Sequence, residues 1–168
     1  MEGDSKLAMV VGGASGMGLA TAELLHEQGA KVAIPDRASS AGSDVAASSG
    51  GTFHPCDVTD DGGVELAVAD AVTSLGGLHI AVNTAGGGIA KRTLSKQGPH
   101  PLEDFRHVVD LNLIATFNLN RLQAWHMSQG EPDDGGERGV MVNTASIAAF
   151  AGQIGQVAYS AAKAGIAR

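Results

Sequence analysis

Cysteine is all but missing from this chain: Cys56 stands alone among 168 residues. Without a second thiol there is no internal disulfide and no thiolate metal cluster, so Cys56 is read as a small apolar residue in or near the core. Aromatic residues are scarce at 4%, with a single tryptophan, Trp125, and a single tyrosine, Tyr159. A basic excess is also lacking. The formal net charge is -7, which argues against non-specific binding to nucleic acid or to an anionic membrane surface. The six histidines (26, 54, 79, 100, 107 and 126) show no metal-ligand spacing, so no metal site is expected. No apolar run is long enough to span a bilayer, and "MEGDSKLAMVVGG" has no basic stretch leading into a long apolar one. These absences predict a soluble, cytoplasmic protein (of the mitochondrial matrix if the source is eukaryotic).

What is present is glycine, 24 residues of it, and short apolar runs that alternate with segments of helical period. "KLAMVVGG", "KVAIPD", "GGTFHPCDV", "LHIAVNTAG" and "GVMVNTASIAAF" read as five strands. "GMGLATAELLHEQGA" places Leu19, Ala22 and Leu25 on one face and reaches a natural stop at Gly29. "TDDGGVELAVADAVTSLGG" is a helix opened by a capping Thr or Asp, and "LEDFRHVVDLNLIATFNLNRLQAWHMSQG" is a long one. "RASSAGSDVAASSGG" reads as a weak helix or a loop, "GGIAKRTLSKQGPHP" as a polar loop, and "EPDDGGER" as an acidic surface turn. Apolar strands alternating with helices predict an α/β fold: one domain over residues 1–168 with a Rossmann-type, doubly wound parallel sheet covered on both faces.

Gly12, Gly16 and Gly18 of "VVGGASGMG" fall at the first strand-to-helix turn. A dinucleotide pyrophosphate needs backbone that approaches closely and helix N-terminal N–H groups aimed at its charge, and glycines at this turn supply both. Asp36, about 20 residues on at the end of the second strand, suits the adenosine ribose hydroxyls and repels a 2′-phosphate, which favours NAD over NADP. Arg37, beside it, weighs the other way. Pro35 cannot donate to a ladder, so the strand is expected to be ending there.

Taken together, these motifs resemble the short-chain dehydrogenase/reductase family along the whole chain. The glycine loop is similar to the family's T-G-x-x-x-G-x-G with Val11 in place of threonine, "CDVTD" to its Asp–Val pair, and "NTAG" to its N-N-A-G with Thr84 for the second asparagine. Asn112, Ser146, Tyr159 and Lys163 stand in the order of its catalytic tetrad. The resemblance implies cofactor contacts at Gly12, Ser15, Gly16, Met17, Gly18, Asp36, Asp57, Val58, Asn83, Ala85, Gly86, Tyr159 and Lys163. Within the family, "FRHVVDLNLIATFNLNRL" and "NTASIAAFAGQIGQVAYSAAKAG" are most similar to the type-2 3-hydroxyacyl-CoA (hydroxysteroid) dehydrogenase group. The family's fold continues with two more strands and a helical substrate lid, neither of which is in this sequence, so the resemblance implies a C-terminally truncated domain.

The resemblance gives the lone tyrosine a task. A free phenol ionises near pH 10, and a cation one turn away favours its phenolate. Lys163, at i+4 from Tyr159, shares its helix face. Tyr159 is thus the expected proton donor and acceptor for hydride transfer between NAD(H) and a secondary alcohol or ketone. Ser146 is expected to hold the substrate oxygen, and Asn112 to support a water joining Lys163 to solvent. The expected substrate is an acyl-CoA or a steroid-like alcohol, in fatty acid metabolism, and the expected assembly a homo-oligomer (tetramer or dimer). A reductase of acyl-carrier-protein-linked 3-oxoacyl groups, an inactive dinucleotide-binding module and a methyltransferase using S-adenosylmethionine are the rival readings. Lys91, Arg92 and Lys96 read as solvated loop charges, with a coenzyme A phosphate contact as the lesser option. Trp125 and Met127 read as packing or subunit-contact residues.

Overall fold

The computed structural model describes residues 6–168, so the first five residues of the expected domain lie outside it. Five strands, β1 (Leu7–Val11), β2 (Lys31–Asp36), β3 (Thr52–Pro55), β4 (Ile80–Asn83) and β7 (Val140–Asn143), form one sheet in the order β3-β2-β1-β4-β7. Every pairing in it is parallel. Helices α1 (Gly16–Glu27), α2 (Gly42–Ser49) and α3 (Asp61–Leu75) connect the first four strands. α4 (Leu102–Val109) and α5 (Ala115–Ser128) follow β4, and α6 (Val157–Ile166) follows β7.

The apolar strands are explained by burial on both faces. In β1, Ala8 and Val10 pack with Val32, Ile34 and Ala22 on one side, while Met9 and Val11 pack with Val64, Val68 and Leu119 on the other. A parallel strand sandwiched between helices has no polar face to offer, which is why its sequence does not alternate. β7 departs from the rule. It is one of the two edge strands, and Val140, Met141 and Val142 are all exposed.

Several local features refine the expectations. β2 ends at Asp36, one residue after the fully buried Pro35, as expected of a proline that cannot donate. The β1–β2 register ends at Met9 and Ala33, so no ladder bond is asked of the proline nitrogen, while its carbonyl accepts from Gly12 N at 2.9 Å. The Ser/Ala-rich segment is a true helix, α2, closed by Gly50 at φ +61°. The polar loop after β4 contains a small hairpin, β5 (Leu94–Ser95) with β6 (Gly98–Pro99). Asp60 holds the cap position of α3, but its side chain makes no capping bond. The long helix is interrupted by a π-helical turn over Asp110–Ile114. Gly29, at φ +84°, closes α1 as expected.

Strand order reverses between β1 and β4. In doubly wound sheets the crevice beyond the strand ends at such a switch point is where ligands bind.

Candidate active site

A crevice of about 380 Å³ opens at that switch point. Its first wall is the loop after β1, with Gly12, Ser15, Gly16, Met17 and Gly18. Its second is the end of β2 and the exit of β3, with Asp36, Asp57 and Val58, and its third is the turn after β4, with Ala85 and Gly86. The floor is bare because it must be. Gly12 has φ +79°, and a Cβ on Gly18 would lie 2.2 Å from the Gly12 carbonyl oxygen and 2.6 Å from Thr84 Oγ1. No side chain but hydrogen fits between these two turns, and the N-terminus of α1 is left facing the crevice.

The acidic wall is ordered by the backbone. Asp36 accepts from Ala14 N at 2.9 Å with one oxygen and from Arg37 N at 2.7 Å with the other, which ties the strand end to the glycine loop. A carboxylate has about four acceptor sites, so capacity for a ligand remains. Asp57 accepts from the Thr59 backbone N–H at 3.0 Å and the Thr59 hydroxyl at 2.7 Å, both through one oxygen. Those bonds, the backbone one foremost, hold its carboxyl below its ordinary pKa. Cys56 lies between the two aspartates. Burial first, and then their negative charge, push its thiol up to about 11, so it stays protonated and inert at neutral pH.

The residues present fit a dinucleotide: a crevice bare of Cβ atoms at the pyrophosphate turn, helix N–H groups behind it, and carboxylate acceptors at the far wall. Pro35, Arg37, Cys56 and Thr84, each noted from the sequence, line it too, as does Leu111. Thr84 Oγ1 donates to the Val11 carbonyl at 2.9 Å, joining β1 to β4. Leu111 comes from the interrupted helix, and no motif marks it.

Asn83 is placed apart from the other expected cofactor contacts. Its side chain does not line the crevice but is buried among polar neighbours, within 3.1 Å of Asn120 Oδ1 and 2.9 Å of Gln123 Oε1 and Asn143 Oδ1. Gln123 Nε2 donates back to Asn83 Oδ1 at 2.9 Å, so two amides grip each other between β4 and α5. The side-chain amide is thereby satisfied within the protein.

Tyr159 and Lys163 are brought together. Lys163 is 3% exposed, its Nζ sits 5.7 Å from the Tyr159 ring centroid, and it donates to the Thr144 carbonyl at 2.6 Å. Burial lowers its pKa. The ion pairs among the described residues, Lys91–Asp104 and Arg121–Glu65, do not involve it. Lys91, one of the three loop cations, is thereby occupied.

Asn112 lies in the π turn with no exposed surface, donating to the Gly87 carbonyl at 2.7 Å and the Val108 carbonyl at 2.8 Å. Insertions of this type often accompany functional sites because they re-aim a side chain. Here it aims Asn112 at the turn after β4. A Cβ on Gly86 would lie 2.7 Å from Asn112 Oδ1 and 3.6 Å from Lys163 Nζ, and one on Gly88 would lie 3.3 Å from the Tyr159 ring. Ser146 accepts from Ala148 N at 3.1 Å and caps a short 3₁₀ turn over Ile147–Ala149 that packs on α6.

Tyr159 does not line the crevice. It opens on a second cavity of about 300 Å³, beside Gly87, Gly88, Ile89, Ala90 and Gln156. The turn after β4 is therefore the partition: Thr84–Gly86 face the crevice, and Gly87–Ala90 face the tyrosine cavity.

The chain is similar to known proteins along most of its length. The family model described as short chain dehydrogenase matches residues 6–168. A human relative named 3-hydroxyacyl-CoA dehydrogenase type-2 is 51% identical over 164 residues, covering 95% of this chain and 63% of its own length. Its Drosophila melanogaster counterpart is 48% identical over 164 residues, covering 95% of this chain and 64% of its own. The solved structure of 3-hydroxyacyl-CoA dehydrogenase type-2 from Mycobacterium avium superposes with a TM-score of 0.91 at 41% identity, over 99% of this chain and 67% of that one. The chain thus spans just under two thirds of the length of these two relatives. With the glycine crevice, the switch-point topology and the Tyr159–Lys163 pair, these matches establish that the chain belongs to the short-chain dehydrogenase family.

Proposed function

We propose that the protein is an NAD(H)-dependent oxidoreductase that interconverts a secondary alcohol and its ketone, with a 3-hydroxyacyl-CoA as substrate. The observation that carries this reading is the buried Lys163 amine beside the Tyr159 ring, one glycine turn away from the dinucleotide crevice. The names of the relatives support the 3-hydroxyacyl-CoA class; a hydroxysteroid is the alternative that the family resemblance implies.

The residue roles are assigned on the family resemblance, with the placement of Tyr159 and Lys163 in support. The crevice binds the nucleotide, which supplies or accepts the hydride. Asp36 meets the ribose hydroxyls and disfavours a 2′-phosphate by like charge. Tyr159 gives a proton to the ketone oxygen in reduction and takes it from the alcohol in oxidation. Lys163 keeps positive charge beside the phenol and holds the nicotinamide ribose. Ser146 offers its hydroxyl to the same substrate oxygen. Asn112 fixes the Gly87 backbone between the two cavities and supports the water path from Lys163 outward. No helix among the described residues is long and apolar enough to cross a membrane. We extend the reading to a homo-oligomer, tetramer or dimer, acting in the cytoplasm or mitochondrial matrix in fatty acid metabolism. Phe117 and Trp125, 66% and 64% exposed on α5, support assembly.

NADH fluorescence titration followed by assay of 3-hydroxyacyl-CoA oxidation tests the reading. Binding with turnover supports it, and binding without turnover leaves only a nucleotide-binding module. Replacing Asp36→Asn should narrow the preference for NADH over NADPH; an unchanged preference removes Asp36 from cofactor selection.

A further inference from the structure

The Tyr159 cavity is almost without polar side chains. Gly87, Gly88, Ile89 and Ala90 form one wall, and Gln156 and Tyr159 the other. Gln156 is the residue just before α6, three ahead of Tyr159, and both side chains line the same cavity. Its backbone is committed, since the N–H donates to the Gln153 carbonyl at 3.1 Å and the carbonyl accepts from Ser160 N at 2.8 Å. Its side-chain amide has no hydrogen-bond partner among the described residues.

The position is built rather than loose. Gly155, directly before it, has φ +86°, and its carbonyl accepts from Lys91 N at 2.9 Å. That bond ties the segment carrying Gln156 to the end of the Gly87–Ala90 wall. A Cβ on Gly155 would lie within 4 Å of the Ala90 and Lys91 backbone, so the two walls are in contact there.

An apolar cavity with one proton-transferring phenol and one unengaged amide is suited to a substrate with two polar groups. One oxygen reacts at Tyr159, and a second, a few bonds away, accepts a hydrogen bond. We propose that Gln156 is a specificity-determining residue whose side-chain N–H₂ donates to a second carbonyl on the substrate, the thioester carbonyl of a 3-oxoacyl or 3-hydroxyacyl thioester. This rests on the function proposed above and deepens it. A hydroxysteroid or simple secondary alcohol has no oxygen in that relation to the reacting one. A site built to hydrogen-bond a substrate group discriminates strongly against the analogue that lacks it, because the site's own polar group is left unpaired.

The test compares two probes with NADH: acetoacetyl-CoA, and S-(3-oxobutyl)-CoA, in which a methylene replaces the thioester carbonyl. The parent protein should prefer acetoacetyl-CoA. In Gln156→Leu and in Gln156→Glu, which keeps the shape but loses the donor, the kcat/KM ratio between the probes should fall about 10-fold or more, as for the loss of one hydrogen bond. Calorimetric titration of both thio compounds should show the same loss of preference in binding. Ratios unchanged in both variants overturn the assignment of Gln156 while leaving the dehydrogenase reading in place. Failure of the parent to reduce either probe overturns that reading and this inference with it.

Discussion

The Lys163 amine lies 5.7 Å from the centroid of the Tyr159 ring, donates to the Thr144 carbonyl and is almost wholly shielded from water. No carboxylate forms an ion pair with it among the described residues. The cation is thus positioned by backbone and packing rather than by countercharge, and it confronts the phenol without competition from a nearer anion.

The burial of Lys163 has a signature in stability. Its folded pKa lies below the ordinary 10.5. The unfolded chain keeps the proton up to that value, whereas the folded one releases it earlier. Unfolding takes up a proton between the two, so stability rises with pH across that window. The penalty is fully present below the folded pKa and gone above the unfolded one. The Tm of the parent should therefore gain on that of Lys163→Met as pH rises towards 10.5. A constant Tm difference contradicts the burial of a charged amine.

The glycine crevice predicts unequal effects of added methyl groups. Gly18→Ala forces a Cβ against the Gly12 carbonyl, should cost about 1–3 kcal/mol, and should abolish NADH binding. Gly50→Ala, at φ +61° in open space far from the crevice, should cost about 1–2 kcal/mol and leave NADH binding intact. Denaturant unfolding with NADH fluorescence titration distinguishes them; tight NADH binding by Gly18→Ala would remove the crevice as the nucleotide site.

The Asn83–Gln123 pair should behave as a unit. Gln123→Leu leaves a buried amide without its reciprocal partner and should cost about 1–3 kcal/mol. A double-mutant cycle with Asn83→Leu should be non-additive by at least about 0.5 kcal/mol. Additive losses in denaturant unfolding would separate the two residues energetically.

Much of this was legible in the sequence because the signals were local. The glycine loop and Asp36 lie within one strand-helix-strand unit, and Tyr159 and Lys163 within one helical turn. What was not legible involves partners distant along the chain. The "NTAG" motif does not show that the Asn83 side chain bonds to Gln123, 40 residues away on α5. Pro35 was readable for the opposite reason: its missing N–H is local, and the β1–β2 register stops before it. The π turn that carries Asn112 has no sequence signal of its own, and Gln156 acquires meaning only from the cavity wall facing it.

The account rests most directly on the phenol. Tyr159→Phe, assayed for oxidation of a 3-hydroxyacyl-CoA with NAD, should lose about 10²–10⁴-fold in kcat, the contribution of a positioned acid/base, while still binding NADH. A variant that binds NADH and turns over within a few-fold of the parent would contradict the account at its centre.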